Sequence, residues 1–186
     1  MKKSIKIVHP LKPLINKNSK ILILGSFPSV KSRELSFFYM HPQNRFWKIL
    51  TNLFEDDFYN ASIDEKIDLC HKHNIAIYDT IYSCEIIGSS DASIENVVPN
   101  KISELIKNTK VSHIFCNGNT SYKLFIKHNK DIDVPVSLLP STSPANAKMS
   151  FDDLLEKWSI IKKIWYFETI IVKLTYKHNK GGYNYA

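Results

Sequence analysis

Cysteine, glycine and long apolar runs are all scarce in this 186-residue sequence. Its three cysteines, Cys70, Cys84 and Cys116, are far apart and form no C-x-x-C pair, which argues against a disulfide framework and against an iron–sulfur cluster. No apolar run approaches the roughly 20 residues of a transmembrane helix. The first ten residues lack the apolar block of a signal peptide. We therefore expect a cytoplasmic protein that uses no membrane, metal or other cofactor.

Positive charge is what the sequence has in excess. Lys and Arg total 25 against 18 Asp and Glu, which gives a formal net charge of +7. Hydrophobic residues make up 44% of the chain, enough for the packed core of one domain. A basic balance favours a polyanion such as DNA as partner, although many basic proteins bind none. We take a monomer as the default oligomeric state.

Short apolar runs alternate with amphipathic stretches along the chain. The runs predict strands at residues 20–25, 75–79, 111–116 and 134–139. The amphipathic stretches predict helices at residues 44–54, 62–73, 100–108, 119–128 and 151–164. Strands that alternate with helices predict an α/β fold whose central, mainly parallel four-stranded sheet is covered on both faces.

Four polar segments each follow one of the predicted strands. They are residues 25–29, 79–91, 117–119 and 140–146. Ligands of open parallel sheets bind beyond the carboxyl ends of the strands, so the four segments predict one active site. The alternative is that Ser, Pro, Asn and Gly are simply the ordinary residues of connecting loops.

The segment after the first strand contains Gly25-Ser-Phe-Pro-Ser29, followed by a Tyr-x-His-Pro-x-Asn-Arg-Phe-Trp motif that ends at Trp47. These motifs resemble the uracil-DNA glycosylase superfamily, and most closely its hypoxanthine-DNA glycosylase branch. Further similar segments occur in the same order at residues 78–85, 88–91, 96–100 and 139–146. The resemblance implies a three-layer α/β/α sandwich and a monofunctional DNA glycosylase, which hydrolyses the N-glycosidic bond of a flipped deaminated base such as hypoxanthine, uracil or xanthine.

The resemblance also implies a catalytic residue. Related branches carry an Asn or Asp within the turn after the first strand, where this chain has Phe27. In the hypoxanthine branch, the Asn of the His-Pro-x-Asn motif takes over, and this residue corresponds to Asn44. A positioned amide of this kind orients the attacking water. The alternative role for Asn44 is to cap the helix that follows it.

Five further residues are candidates for binding the base. Backbone N–H groups of Ser26 and Phe27 would bind its carbonyl oxygen, unless the two residues form only a turn. Tyr39 matches an aromatic residue that stacks on the base, with packing beneath the loop as the alternative. Asp79 replaces the Asn of uracil specialists and suits a purine ring N–H, or else it caps a turn. Asn117 faces the pocket or forms a turn with the next glycine.

Residues 139–146 resemble the loop with which the superfamily enters DNA. Ser141, Thr142 and Ser143 are candidates for phosphate contacts, and Pro144 for a wedge in the gap left by the base. The alternative is a rigid loop without a function in binding. Phosphate contacts are also expected from five residues near the carboxyl-end edge of the sheet: Ser29, Lys31, Arg33, Arg45 and Lys148.

Two regions fall outside this resemblance. We predict a uracil-DNA glycosylase-like domain at residues 1–165 and an extension of unknown structure at residues 166–186, in which residues 169–176 have strand propensity. The Cys-His-Lys-His run at residues 70–73 is expected to be a solvated helix end and not a metal site.

Two other functions remain open. The turn without a catalytic amide or carboxylate also fits an inactive module that binds DNA lesions. A flavodoxin-like domain that binds small nucleotides ranks last, because the sequence has no G-x-G-x-x-G or P-loop motif.

Overall fold

The computed structural model describes residues 3–167. Its strands are β1 (Ile5–Val8), β2 (Ile21–Gly25), β3 (Ile75–Asp79), β4 (Ile81–Ile86), β5 (Glu95–Pro99), β6 (His113–Asn117) and β7 (Val136–Leu139). Its helices are α1 (Val30–Glu34), α2 (Phe46–Phe54), α3 (Ile63–Lys72), α4 (Ile102–Ile106), α5 (Asn119–His128) and α6 (Phe151–Trp158), and helical conformation resumes at residues 160–167. The strand predicted at residues 169–176 lies outside the described residues.

The central sheet has four parallel strands in the order β3-β2-β6-β7. β2, one of the two inner strands, is completely buried, because it is hydrophobic at every position before Gly25 and is covered on both faces. The four strands are those predicted from the sequence. Their carboxyl ends all lie at one edge of the sheet, as the prediction of a single site requires.

Successive residues of β2 face two different cores. Ile21 and Ile23 pack with α2, α3 and α6. Leu22 and Leu24 point to the other face of the sheet and pack with α4 and α5. These two cores make the fold a three-layer α/β/α sandwich, and they confirm the predicted fold class.

A second sheet was not predicted. It consists of β1, β4 and β5 in the antiparallel order β1-β4-β5. β4 lies within the segment at residues 79–91 that was predicted as a loop, and no element was predicted at β1 or β5. The buried side chains of Ile81, Cys84 and Ile86 form its inner face. Register shifts between β4 and β5 interrupt the alternation of polar and apolar residues, so the sequence has no clear strand pattern there. The small sheet delivers the loop at residues 87–94 to the same edge as the carboxyl ends of the central strands.

Helix caps explain two of the correctly predicted helix starts. Ser62 and Glu65 form a capping box at α3, and Ser150 and Asp153 form one at α6. The end of α3 is not solvated as expected, because His73 is buried and bonds to Asp56 at 2.6 Å. Among residues 3–167, no helix has the length and apolar character to cross a membrane.

Candidate active site

A cleft of about 1130 Å³ lies beyond the carboxyl ends of the central strands. The four segments predicted to follow the strands all line it, together with Tyr39, His41 and Asn44 before α2. Its volume suits a ligand of nucleotide size or larger. Of the fifteen predicted site residues, Lys31, Arg33 and Arg45 are absent from the wall. Lys31 is exposed and pairs with Glu34 on α1.

The turn after β2 is held by the start of the small sheet. Thr80 donates to the carbonyl oxygen of Gly25 through both its amide and its hydroxyl, and the amide of Ile81 donates to that of Ser26. Ser26 and Phe27 therefore line the cleft at a defined position, as predicted. A Cβ atom at Gly25 would lie 2.2 Å from Oδ1 of Asp79, so only glycine leaves room for that carboxylate.

Asn44 occupies the cleft wall at the start of α2. Its Oδ1 accepts a hydrogen bond from the amide of Phe46 at 3.0 Å, so the residue caps the helix, which was the alternative role. Its side chain also lines the cleft, and its Nδ2 donates to no residue of the described chain. One end of this amide is held by the helix, and the other is available to a water or a substrate.

Tyr39 has a strained backbone and a buried hydroxyl. Its φ of 56° is in the left-handed region, which bulky residues rarely adopt. One face of its ring is stacked on Phe46, with centroids 3.8 Å apart. The hydroxyl has no hydrogen-bond partner in residues 3–167, although the amide of Asn117 is close enough to affect it. Burial, with a contribution from the nearby Asp79 carboxylate, raises the pKa of this hydroxyl.

Asp79 is paired with a histidine that the sequence analysis did not select. Nε2 of His9 lies 2.8 Å from Oδ2 of Asp79, and both side chains are almost fully buried. The other oxygen, Oδ1, makes no hydrogen bond to the described residues and lies over Gly25 at the cleft. No local sequence pattern marks His9, because β1 brings it to the site from 70 residues away.

Asn117 and Thr142 bind each other. Nδ2 of Asn117 donates to the Thr142 hydroxyl at 2.9 Å, and its Oδ1 accepts from the Thr142 amide at 3.0 Å. Thr142 has no exposed surface, so the phosphate contact predicted for it does not fit this position. Both ends of the Asn117 amide are likewise used, which favours a role in holding the loop at residues 140–146 over contact with a base.

Arg45 holds the same loop from the opposite side. Its guanidinium donates to the carbonyl oxygens of Thr142, Ser143, Asn146 and Met149 at 2.6 to 3.4 Å. Arg33 similarly donates to the carbonyl oxygens of Pro28 and Gly88. Neither arginine is free for the phosphate contact predicted from the sequence, because each guanidinium is already engaged by main-chain acceptors.

Side chains at the mouth of the cleft remain available to a ligand. Ser141, Ser143 and Pro144 are partly exposed there, and Lys148 is exposed. Ser29 also lines the cleft, while its hydroxyl caps α1 by accepting from the amide of Ser32. Their contact with the DNA backbone stays a prediction.

Asp91 is a further polar residue that the sequence analysis left without a role. Its two carboxylate oxygens accept from the Ser26 hydroxyl at 2.9 and 3.0 Å, and it lines the same cleft. Water reaches the residue, yet protein atoms crowd the carboxyl group on the concave wall, and this desolvation raises its pKa against the lowering effect of Ser26. In the sequence, residues 88–91 resemble the family, but no role was predicted for Asp91.

The three cysteines take no part in this site. All are buried free thiols, and burial raises the pKa of each, which keeps them protonated and unreactive. No group of three or more His, Cys, Asp or Glu side chains within residues 3–167 has an arrangement that could hold a metal ion.

Comparison with known proteins decides the family. Residues 12–174 match the uracil DNA glycosylase superfamily. The chain belongs to the uracil DNA glycosylase superfamily. The resemblance carried by the Gly25–Ser29 and Tyr39–Trp47 motifs is thereby confirmed. Within this superfamily, the cleft beyond the parallel strands supports an enzyme of the DNA glycosylase class.

Two curated relatives of this chain have the same name. A hypoxanthine DNA glycosylase from Methanosarcina barkeri is 28% identical over 112 residues, which is 59% of this chain and 70% of the relative. Another, from Methanosarcina acetivorans, is 24% identical over 137 residues, which is 74% of this chain and 87% of the relative. A solution NMR structure from Methanosarcina acetivorans, of a protein described as a candidate uracil DNA glycosylase, superposes with a TM-score of 0.74. It is 23% identical and covers 89% of this chain and 98% of its own, so it supports the shared fold.

Proposed function

We propose that this chain is a monofunctional DNA glycosylase that releases a deaminated base, with hypoxanthine as the leading substrate and uracil or xanthine as further ones. Water attacks C1′ of the flipped nucleotide, and the C1′–N bond breaks. The water oxygen stays on the sugar, and its proton balances the negative charge of the departing base. The products are a free base and an abasic site, as expected in base excision repair. The names of the two curated relatives support the choice of hypoxanthine.

The position of Asn44 carries the proposal. The amide is anchored at one end by the cap to Phe46, which fixes its orientation, and it lines the cleft with the other end available. A group held in this way orients a water without reorganisation during the reaction. Phe27 lies at the turn where related branches have their catalytic side chain, and it is nearly buried, so the turn itself supplies no such group.

The loop at residues 140–146 supports DNA as the substrate. Asn117 and Arg45 hold its main chain from two sides, and Pro144 and Ala145 lie at its tip beside the cleft. A preorganised apolar tip of this kind fits the space that a flipped base leaves in the duplex. We also propose a cytoplasmic location, which the three free thiols support.

Base release from labelled duplexes tests the proposal. Duplexes containing hypoxanthine, uracil, xanthine or only normal bases are incubated with excess protein, and abasic sites are cleaved with alkali. We expect release of hypoxanthine, and a loss of about 100-fold or more in the single-turnover rate for Asn44→Ala. Asn52→Ala is the matched control, because Asn52 is an exposed asparagine on the same helix, and it should keep the wild-type rate.

The turn after β2 also favours a second candidate function. With Phe27 at the usual catalytic position, a module that binds lesions without cleaving them is the competing candidate. Selective binding to damaged duplexes with no abasic product from any of them would support that module and reject the enzyme. An Asn44→Ala variant as fast as the Asn52→Ala control would reject only the role of Asn44.

A further inference from the structure

Oδ1 of Asp79 lies at the floor of the cleft without a hydrogen bond to any described residue. The hydroxyl of Tyr39 lies beside it: a Cβ at Gly25 would be 2.2 Å from Oδ1 and 3.2 Å from the hydroxyl oxygen. This hydroxyl is buried, and the nearby Asn117 amide affects it as a donor, which leaves the hydroxyl its own proton to donate. A carboxylate oxygen without a partner at the floor of a cleft points to a ligand that donates to it.

His9 determines which oxygen of Asp79 is available. Its Nε2 takes Oδ2 at 2.8 Å, which leaves Oδ1 over Gly25. The imidazole itself is held on all sides. The Leu11 main chain meets Nδ1 with both an N–H and a carbonyl oxygen, so the ring is satisfied whether or not Nδ1 carries a proton. Rings of Tyr78 and Phe27 pack against it, with centroids at 4.9 and 5.6 Å.

The acceptor and donor match the edge that deamination creates. Hypoxanthine and uracil carry a ring N–H beside a carbonyl oxygen, whereas adenine and cytosine carry a bare ring nitrogen beside an amino group. The unpaired Oδ1 of Asp79 accepts from the N–H, and the hydroxyl of Tyr39 donates to the neighbouring carbonyl oxygen. Adenine would instead place its bare ring nitrogen against a carboxylate oxygen, which leaves both atoms desolvated and unpaired. This match separates hypoxanthine from adenine and uracil from cytosine. It does not separate xanthine from guanine, because guanine, like thymine, also carries an N–H beside a carbonyl oxygen.

We propose that His9 is a specificity-determining positioning residue, which holds Asp79 so that Oδ1 selects the N–H edge of a deaminated base. This inference rests on the proposed function only in that a flipped base must enter the cleft. His9 has a second effect through the same hydrogen bond. It draws the carboxylate charge towards Oδ2, away from a base that becomes negative as it leaves.

The test measures binding without catalysis. The probes are duplexes with 2′-fluoro-2′-deoxyinosine or 2′-fluoro-2′-deoxyadenosine opposite the same base, because the fluorine destabilises the cationic transition state and blocks cleavage. The measured quantity is the ratio of the two dissociation constants. We expect the wild type to prefer the inosine duplex, and His9→Ala to lose about 10- to 100-fold of that preference through weaker binding of inosine. His9→Gln should recover part of it, since its amide N–H also donates to Oδ2.

His73→Ala is the matched control. It removes another buried histidine that pairs with an aspartate, Asp56, but it lies outside the cleft. This variant should keep the wild-type ratio of dissociation constants even if it loses as much thermal stability as His9→Ala. A His9→Ala ratio equal to that of His73→Ala would overturn the proposal.

Asp79→Asn makes the proposal testable even if His9→Ala fails to fold. His9 would bind the amide oxygen, and the amide NH₂ would then face the base in place of an acceptor. We expect the preference to shift from inosine towards adenosine, and an unchanged preference would overturn the proposal. The outcome is separable from that of the proposed function. An inosine preference without any base release rejects the enzyme but supports recognition by His9 and Asp79.

Discussion

Replacing Arg45 should release the loop at residues 140–146 together with the residues that follow it up to Met149. Its guanidinium donates to four carbonyl oxygens in this loop, the shortest bond being 2.6 Å to Met149. A hydrogen bond from a charged donor contributes about 1.5–3 kcal/mol, and partial exposure brings the set of four nearer to 2–4 kcal/mol in total. Arg45→Ala should therefore shift the opening equilibrium of the loop by about 30- to 1000-fold.

Amide hydrogen exchange at residues 142–149 measures this effect without DNA. Arg45→Lys is the sharper variant, because it keeps the charge but cannot reach four acceptors with one planar group. We expect faster exchange in the loop for both variants, and unchanged exchange in β2. Exchange at the wild-type rate in the loop of both variants would refute the bracing role.

A phosphate contact by Arg45 would give a different result. Loss of one such contact lowers the salt dependence of DNA binding by about one unit in log–log slope, and it leaves the free loop unchanged. Lys148→Ala is the control for this signature, since Lys148 is exposed in the same loop. We expect the slope change for Lys148→Ala, and the exchange change for Arg45→Ala.

Two further predictions concern the floor and wall of the cleft. Gly25→Ala should destabilise the fold by about 1–3 kcal/mol, because the new Cβ overlaps Oδ1 of Asp79; adding Asp79→Ala should recover most of that loss, and additive losses in denaturant unfolding would contradict it. Desolvation raises the pKa of Asp91 in the folded state, so the native protein binds this proton more tightly and loses stability as pH rises from the ordinary aspartate pKa through the raised one. In urea unfolding between pH 3 and 7, the stability of the wild type relative to Asp91→Asn should therefore fall as pH rises, and parallel curves would count against it.

Much of the central sandwich is predictable because its signals are local. A buried parallel strand such as β2 is a continuous apolar run, and helices α3 and α6 begin at capping boxes. Since parallel strands end at a common edge, the order of strands and helices along the chain is enough to assign the segments after the strands to one cleft. Twelve of the fifteen predicted site residues line that cleft.

The rest depends on contacts between distant parts of the chain. The small sheet has no clear alternation, because register shifts interrupt β4 and β5, and three of four residues in β1 are exposed. Tertiary hydrogen bonds determine which groups the side chains of Arg45 and Thr142 contact, and such bonds leave no periodic pattern in the sequence. A basic residue near the rim therefore suggested a phosphate contact, although Arg45 is bound to the protein's own carbonyl oxygens.

The way His9 reaches the cleft has a consequence for the order of folding. Its bond to Asp79 closes a segment of 70 residues, and the Arg45 bonds to the loop close segments of up to 104. Residue 149 must be synthesised before the longest of these segments can close, so the Arg45 bonds form after the His9 bond. During synthesis the β2–β3 pair has both of its strands long before residue 149 emerges. We therefore expect nascent chains to pair these strands first and to complete the cleft, whose loop Arg45 holds, only near the end of translation.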